Sequence, residues 1–200
     1  MESSLPKNTN KRTTEKGNFL FGFMTFLLSE SMIFVSFFIA YIIMRLHSSQ
    51  WLPPGVSGPQ LSPTVIINTV VLLSSSLVIY LAEQALKKHN VWLFRLFWFL
   101  TSIMGAYFLA GTLKEWQSLD FGLDTGLMGG TFYLFTGFHA LHITVGICLQ
   151  MLMLLRSFVP GNYNRGHYGV TAVSWFWHFV DGIWVVLFAL LYLWSFLEPS

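Results

Sequence analysis

Five stretches of this 200-residue chain, 19–44, 64–82, 91–113, 125–155 and 168–197, are nearly free of Asp, Glu, Lys and Arg. The shortest holds 19 residues. A bilayer core of about 30 Å needs about 20 helical residues at about 1.5 Å each, so every stretch is long enough to cross, and the longer ones tilt or reach the headgroups. Lipid offers the backbone no hydrogen-bond partners, which leaves helices as the open-ended way to span it. The chain is 10% charged and 54% hydrophobic, against about 25% and 45–50% in a soluble domain. The single cysteine, Cys148, cannot pair within the chain, and a net charge of +2 gives no reason to expect a nucleic-acid partner. The expectation is an all-α integral membrane bundle of five transmembrane helices over about 19–45, 64–86, 91–113, 126–155 and 170–197. Together they form a membrane domain over 19–197, behind a polar tail at 1–18.

The first stretch is too long for the core of a signal peptide and has no small-residue cleavage site after it, so it is read as retained. The tail before it carries Lys7, Lys11, Arg12 and Lys16. With five spans the termini lie on opposite faces. A cytoplasmic N-terminus puts those four, with Lys87, Lys88, Arg95, Arg156 and Arg165, on the inner side, and leaves only Arg45 and Lys114 outside with Glu115, Asp120, Asp124 and Glu198. The positive-inside rule selects this orientation, with the C-terminus outside. Residues 87–90 form a tight inner turn, whereas the outer loop over 47–63 carries Pro53, Pro54, Pro59 and Pro63 and cannot continue a helix. No internal repeat suggests an inverted-repeat transporter.

Glu30, His139, His142, His178 and Asp181 fall inside spans, where a charge costs at least about 2.5–3.5 kcal/mol. The helical rise places all five near the middle of the bilayer, so the first, fourth and fifth spans can share one polar layer. His139 and His142 are spaced i,i+3, and Ser174, His178 and Asp181 i, i+4, i+7, so each set lies on one helix face and Asp181 can hydrogen-bond His178. Three readings stand side by side. The groups satisfy one another in a helix interface; they relay protons, with Glu30 and His178–Asp181 as candidates; or the histidines ligate haem or metal. Against the last, the chain has no Cys-x-x-Cys and no His-Glu-x-x-His. Gly126-x-x-x-Gly130 is a weak close-packing signal. Trp51, Trp92, Trp116 and Trp194 sit where interfacial anchors belong, and Trp175, Trp177 and Trp184 sit within the fifth span.

Three segments, LLSESMIFVSFF (27–38), TGFHALHITVG (136–146) and SWFWHFVDGIWVVLF (174–188), together resemble subunit III of the haem–copper oxidases. The resemblance follows the family's order over about residues 18–194 and looks like the short five-span bacterial form, without the extra N-terminal spans of longer members. It implies an accessory subunit of a respiratory terminal oxidase that carries electrons from cytochrome c to dioxygen and translocates protons. Haem and copper would sit in partner subunits I and II, with no catalytic centre and no metal in this chain. The family packs beside subunit I, holds phospholipid and supports proton uptake, so the resemblance makes Glu30, His139, His142, His178 and Asp181 lipid-associated or proton-linked positions. Gly182 and Ile183 depart from the two β-branched residues common there, and the short 87–90 turn limits what the inner surface contributes. His89 and His167, in inner loops, are candidate proton collectors. A quinol oxidase subunit, a companion of a nitric oxide reductase and a self-standing membrane haem protein are the alternatives. The loop GNYNRGHYG (161–169) looks like members from oxygenic photosynthetic bacteria, which would place the chain in the cell membrane or the thylakoid.

Overall fold

A computed structural model describes residues 7–48, 51–53, 55–56, 58–159, 163 and 167–197, with side chains from residue 17 onward except that of Phe196. Arg165, Glu198 and the side chains of Lys7, Lys11, Arg12 and Lys16, which carried part of the orientation argument, lie outside the described residues. The element order is α1 (Lys7–His47), α2 (Pro63–Lys87), α3 (Val91–Ser118), α4 (Gly126–Ser157), α5 (Tyr168–Phe188), a π-helical turn (Ala189–Leu193) and α6 (Trp194–Leu197). There is no strand among the described residues. Five helical segments, 17–47, 63–87, 91–118, 126–157 and 168–193, are long and apolar enough to cross a membrane. They match the five expected spans, with later or earlier ends at several places.

The helix ends follow local chemistry. Pro63 occupies the first turn of α2, where its missing N–H costs nothing, and Ser62 caps that turn by accepting from the Val65 amide at 3.3 Å. At the other end of α2, His89 N–H reaches Leu86 O and Asn90 N–H reaches Ala85 O, both at 2.9 Å. This double bond is the Schellman closure, and it requires the left-handed backbone that His89 adopts at φ 60°. Asn90 then caps α3 by accepting from the Leu93 amide at 3.1 Å. One tight turn thus both ends α2 and starts α3.

α2 packs most extensively on α3, α3 on α4, α4 on α5, and α5 returns to α2, so these four close a bundle. α1 lies outside it against α5 and α4, with only Phe34 and Tyr41 buried among its described side chains. The bundle centre holds Trp98, Trp177, Trp184, Phe108 and Phe132, all buried. Glycine makes room for the largest of these. A Cβ on Gly105 would meet Trp177 at 2.5 Å and one on Gly146 would meet it at 2.9 Å, so the indole lies between two bare stretches of backbone on α3 and α4. A Cβ on Gly111 would likewise fall 1.9 Å from Asn68 of α2. Small residues at buried contacts are how membrane helices gain close packing where lipid supplies no hydrophobic drive. Gly126-x-x-x-Gly130 has a different role. Gly126 takes φ +68° at the start of α4, and Gly130 faces the loop carbonyl of Leu123.

Two arginines close the ends of the bundle. At the α2–α3 end, Arg95 donates to the Ser157 hydroxyl at 2.9 Å and the Ser157 carbonyl at 2.5 Å, and stacks over Phe158, satisfying a carbonyl that the end of α4 leaves free. At the opposite end Arg45 donates to Tyr41 and Ser195 and lies between the Trp51 and Trp194 rings. Tyr41 in turn donates to Leu190 O within the π-helical turn, where the widened backbone leaves carbonyls without their usual helical partners.

Candidate functional site

The five intramembrane polar residues do not form one layer of mutual contacts; they separate into three places. The first joins α1 to α4, where His142 Nε2 lies 3.2 Å from Glu30 Oε2. His142 Nδ1 lies 2.8 Å from the Phe138 carbonyl one turn back. A carbonyl only accepts, so Nδ1 carries a hydrogen, and a single proton then occupies the space between Nε2 and the carboxyl group. The pair is either a neutral acid donating to a neutral imidazole or a carboxylate facing an imidazolium. Its net charge is zero in both forms, which lowers the cost of placing two ionisable groups in lipid. Phe34 of α1 meets the imidazole edge-on at 5.1 Å and Phe176 of α5 stacks on it at 6.2 Å, so the ring is fixed by aromatic contacts as well.

Beside this pair on α1 is an open recess of about 560 Å³, lined by Phe21, Met24, Leu27, Leu28 and Ser31 of α1 and by Trp175 of α5. Its wall is almost wholly apolar.

The second place is inside the bundle. His139 is fully buried, stacks on Trp184 at 5.0 Å and meets Phe108 at 5.9 Å, and neither ring nitrogen has a hydrogen-bond partner among the described residues. Although His139 and His142 share a helical face by spacing, they diverge to different neighbours. His139 faces α3 and α5, whereas His142 faces α1.

The third place joins α2 to α5. Ser76 Oγ donates to Asp181 Oδ2 and lies 3.0 Å from His178 Nδ1. The direct His178–Asp181 bond that the spacing allows is therefore replaced by a bridge through a serine from another helix. Asp181 is 3% exposed and its Oδ1 has no partner, while His178 is exposed at the bundle surface.

At the end of the bundle that holds the α2–α3 turn, His89 and His167 line one recess of about 170 Å³ with Lys87 and Tyr163. Tyr163 donates to the Met153 carbonyl at 2.5 Å; its burial raises the phenol above its ordinary pKa, and Arg156 and Arg95 partly oppose the rise. Glu83 of α2, nearly buried beside this end, pairs with Lys87 at 3.0 Å and accepts from Thr171 of α5 at 3.4 Å. Among the described residues no three His, Cys, Asp or Glu side chains cluster in a way that could hold a metal ion.

Ser76, Gln150 and Glu115 have partners that no feature of the sequence singles out. Gln150 is fully buried, accepts from Ser102 at 2.7 Å through its side chain and from the Trp98 indole at 2.8 Å through its carbonyl. Glu115 accepts from Tyr192 at 2.8 Å. A glutamine or serine within a span carries no charge to mark it, and the length of α3 beyond residue 113 hides Glu115 as a loop charge.

Comparison with known proteins agrees with this arrangement. Residues 2–196 match the family of cytochrome c oxidase subunit III. The chain is 43% identical over 173 residues to cytochrome c oxidase subunit 3 of Thermostichus vulcanus, covering 86% of this chain and 85% of that one. It is 43% identical over 178 residues to the protein of the same name from Synechocystis, covering 87% and 75%, and 32% identical over 188 residues to that of Struthio camelus, covering 92% and 72%. Subunits III carry no redox centres of their own. With its five membrane-crossing helices, the chain belongs to the cytochrome c oxidase subunit III family and is a multi-pass membrane component of an oxidoreductase complex with other oxidase subunits.

Proposed function

We propose that the chain packs beside the catalytic subunit I of an oxidase that also contains subunit II, receives electrons from cytochrome c and reduces dioxygen while translocating protons. Haem and copper belong to those partners. The chain's own part is to stabilise subunit I, to hold phospholipid on its α1 side and to keep proton uptake supplied, with its N-terminus in the cytoplasm. The observation that carries the reading is the one-proton site of Glu30 and His142 beside the apolar recess of α1 and α5. An acyl chain fits the recess, and a paired acid and imidazole can gain or lose one proton next to it. The bacterial cell membrane or the thylakoid is the corresponding location, supported by the two relatives from Thermostichus and Synechocystis.

The test is the purified complex carrying Glu30→Ala, measured for bound phospholipid, assembly and the number of turnovers before inactivation. The reading expects assembly with less bound lipid and a shorter turnover lifetime. Full lipid content and an unchanged lifetime would overturn it.

A further inference from the structure

We propose that the membrane face made by Ser76 and Leu77 of α2 and His178, Gly182 and Val185 of α5 is a docking surface for a transmembrane helix of a partner subunit, one that presents a hydrogen-bonding side chain to His178 Nε2. The proposal rests on the reading of the chain as an oxidase subunit and assigns a face to the contact.

Its first support is depth. His178 is ten residues from the start of α5 and Ser76 thirteen from the start of α2, which are entered from opposite sides. At about 1.5 Å per residue both lie roughly 15–20 Å into the bilayer, near its middle. There His178 is exposed at the bundle surface and uses one ring nitrogen, Nδ1, toward Ser76. Ser76 Oγ is shared between Nδ1 and Asp181 Oδ2, so Nε2, a donor or an acceptor according to the tautomer, is the ring nitrogen left for another partner. Among the described residues the ring's one hydrogen bond is at Nδ1. Acyl chains offer neither donor nor acceptor, and headgroups lie a half-bilayer away. A polypeptide with a hydrogen-bonding side chain is the occupant that satisfies this surface.

Its second support is shape. Gly182, one turn beyond His178, is exposed, and a Cβ built on it meets nothing within 4 Å. The glycine is therefore not there to admit a neighbour within this chain, in contrast with Gly105, Gly111 and Gly146. In a helix interior glycine costs about 1 kcal/mol relative to alanine. A bare backbone next to an unsatisfied imidazole is what a second helix needs for close approach. Val185 on α5 and Leu77 on α2, 49% and 62% exposed, flank the position with apolar surface.

Gly182→Leu tests the face without disturbing the chain's own packing, and Gly22→Leu on α1, where a Cβ also meets nothing within 4 Å, is the matched control. Each variant is co-expressed with the other oxidase subunits, and the fraction of chain that co-purifies with them after mild detergent extraction is measured. The expected result is a loss of at least tenfold for Gly182→Leu, with unchanged helicity and thermal midpoint of the chain, and no loss for Gly22→Leu. Equal recovery of both variants would overturn the proposal. If wild-type chain recovers no oxidase subunit, the family-based function fails instead, and the two failures are told apart. Should Gly182→Leu fold poorly, a photo-crosslinking residue at Val185 decides: an adduct with a second polypeptide supports the docking face, and adducts with lipid alone overturn it.

Discussion

Glu30 and His142 stand 3.2 Å apart across the contact between α1 and α4, an ionisable pair that joins α1 to the bundle. α1 otherwise holds to α4 and α5 through aromatic contacts such as Phe34 with Phe138 and Phe37 with Phe135. Replacing Glu30 by Ala leaves His142 Nε2 without a partner and is expected to destabilise the detergent-solubilised chain by about 1–3 kcal/mol. Glu30→Gln keeps an N–H that can donate to the neutral ring, so it should recover at least half of that loss. Thermal unfolding followed by circular dichroism checks both. Equal midpoints for Ala and wild type would show that the pair contributes nothing to the seating of α1.

Trp177 is packed closely between α3 and α4. Gly105→Ala and Gly146→Ala each place a methyl group within 3 Å of the indole, which also donates to Ser75 at 2.8 Å and cannot move freely. Each should cost about 1–3 kcal/mol, the range for overpacking a filled core. Gly17→Ala and Gly22→Ala, at positions with open space, should not destabilise. Denaturation in mixed micelles compares the four.

The spans were legible because lipid removes water from the backbone and forces long apolar helices, a constraint that acts through composition alone. Their ends were less so. Lys114 and Glu115 read as loop charges, yet α3 continues through them to Ser118, and Tyr192 of the π-helical turn gives Glu115 a partner. The segment before residue 19 reads as a partly flexible tail, and helix α1 begins within it at Lys7. Rise per residue puts Glu30, His178 and Asp181 near one level. Direction around the helix axis was not legible. Glu30 meets His142 rather than His178, and a serine with no sequence signal, Ser76, takes the place between His178 and Asp181. Serines within spans ordinarily satisfy themselves on the preceding turn, as Ser75 does with Leu72 O, so nothing in the sequence separates Ser76 from its neighbours.

His89 pays a backbone cost for closing α2. At φ 60° a β-carbon costs about 1–2 kcal/mol relative to glycine, so His89→Gly should raise stability by about 1 kcal/mol while keeping the turn. A proton-collecting role predicts the opposite sign in a different measurement. In the intact complex, the His89→Asn, His167→Asn variant should slow proton uptake at alkaline pH. Unchanged uptake would leave His89 with its structural role alone.

Tyr163 gives a pH signature outside the spans. Burial raises its phenol above the ordinary value, so the neutral form is favoured in the folded chain. The stability this contributes is fully present below the unfolded phenol value of about 10 and is lost as pH rises through the higher folded value. Tyr163→Phe removes the bond to Met153 O and with it that dependence. The difference in stability between wild type and variant should shrink above about pH 10. A constant difference from pH 8 to 11 would show that the phenol is not held neutral.

The central claim, membership of a haem-containing oxidase complex by a chain with no redox centre of its own, is tested most directly by mild-detergent purification through a tag on this chain, followed by the optical spectrum and subunit composition of what is recovered. The account predicts stoichiometric oxidase subunits with haem absorbance that departs when this chain is separated from them. A chain recovered without oxidase subunits, or one that keeps a Soret band on its own, would contradict it.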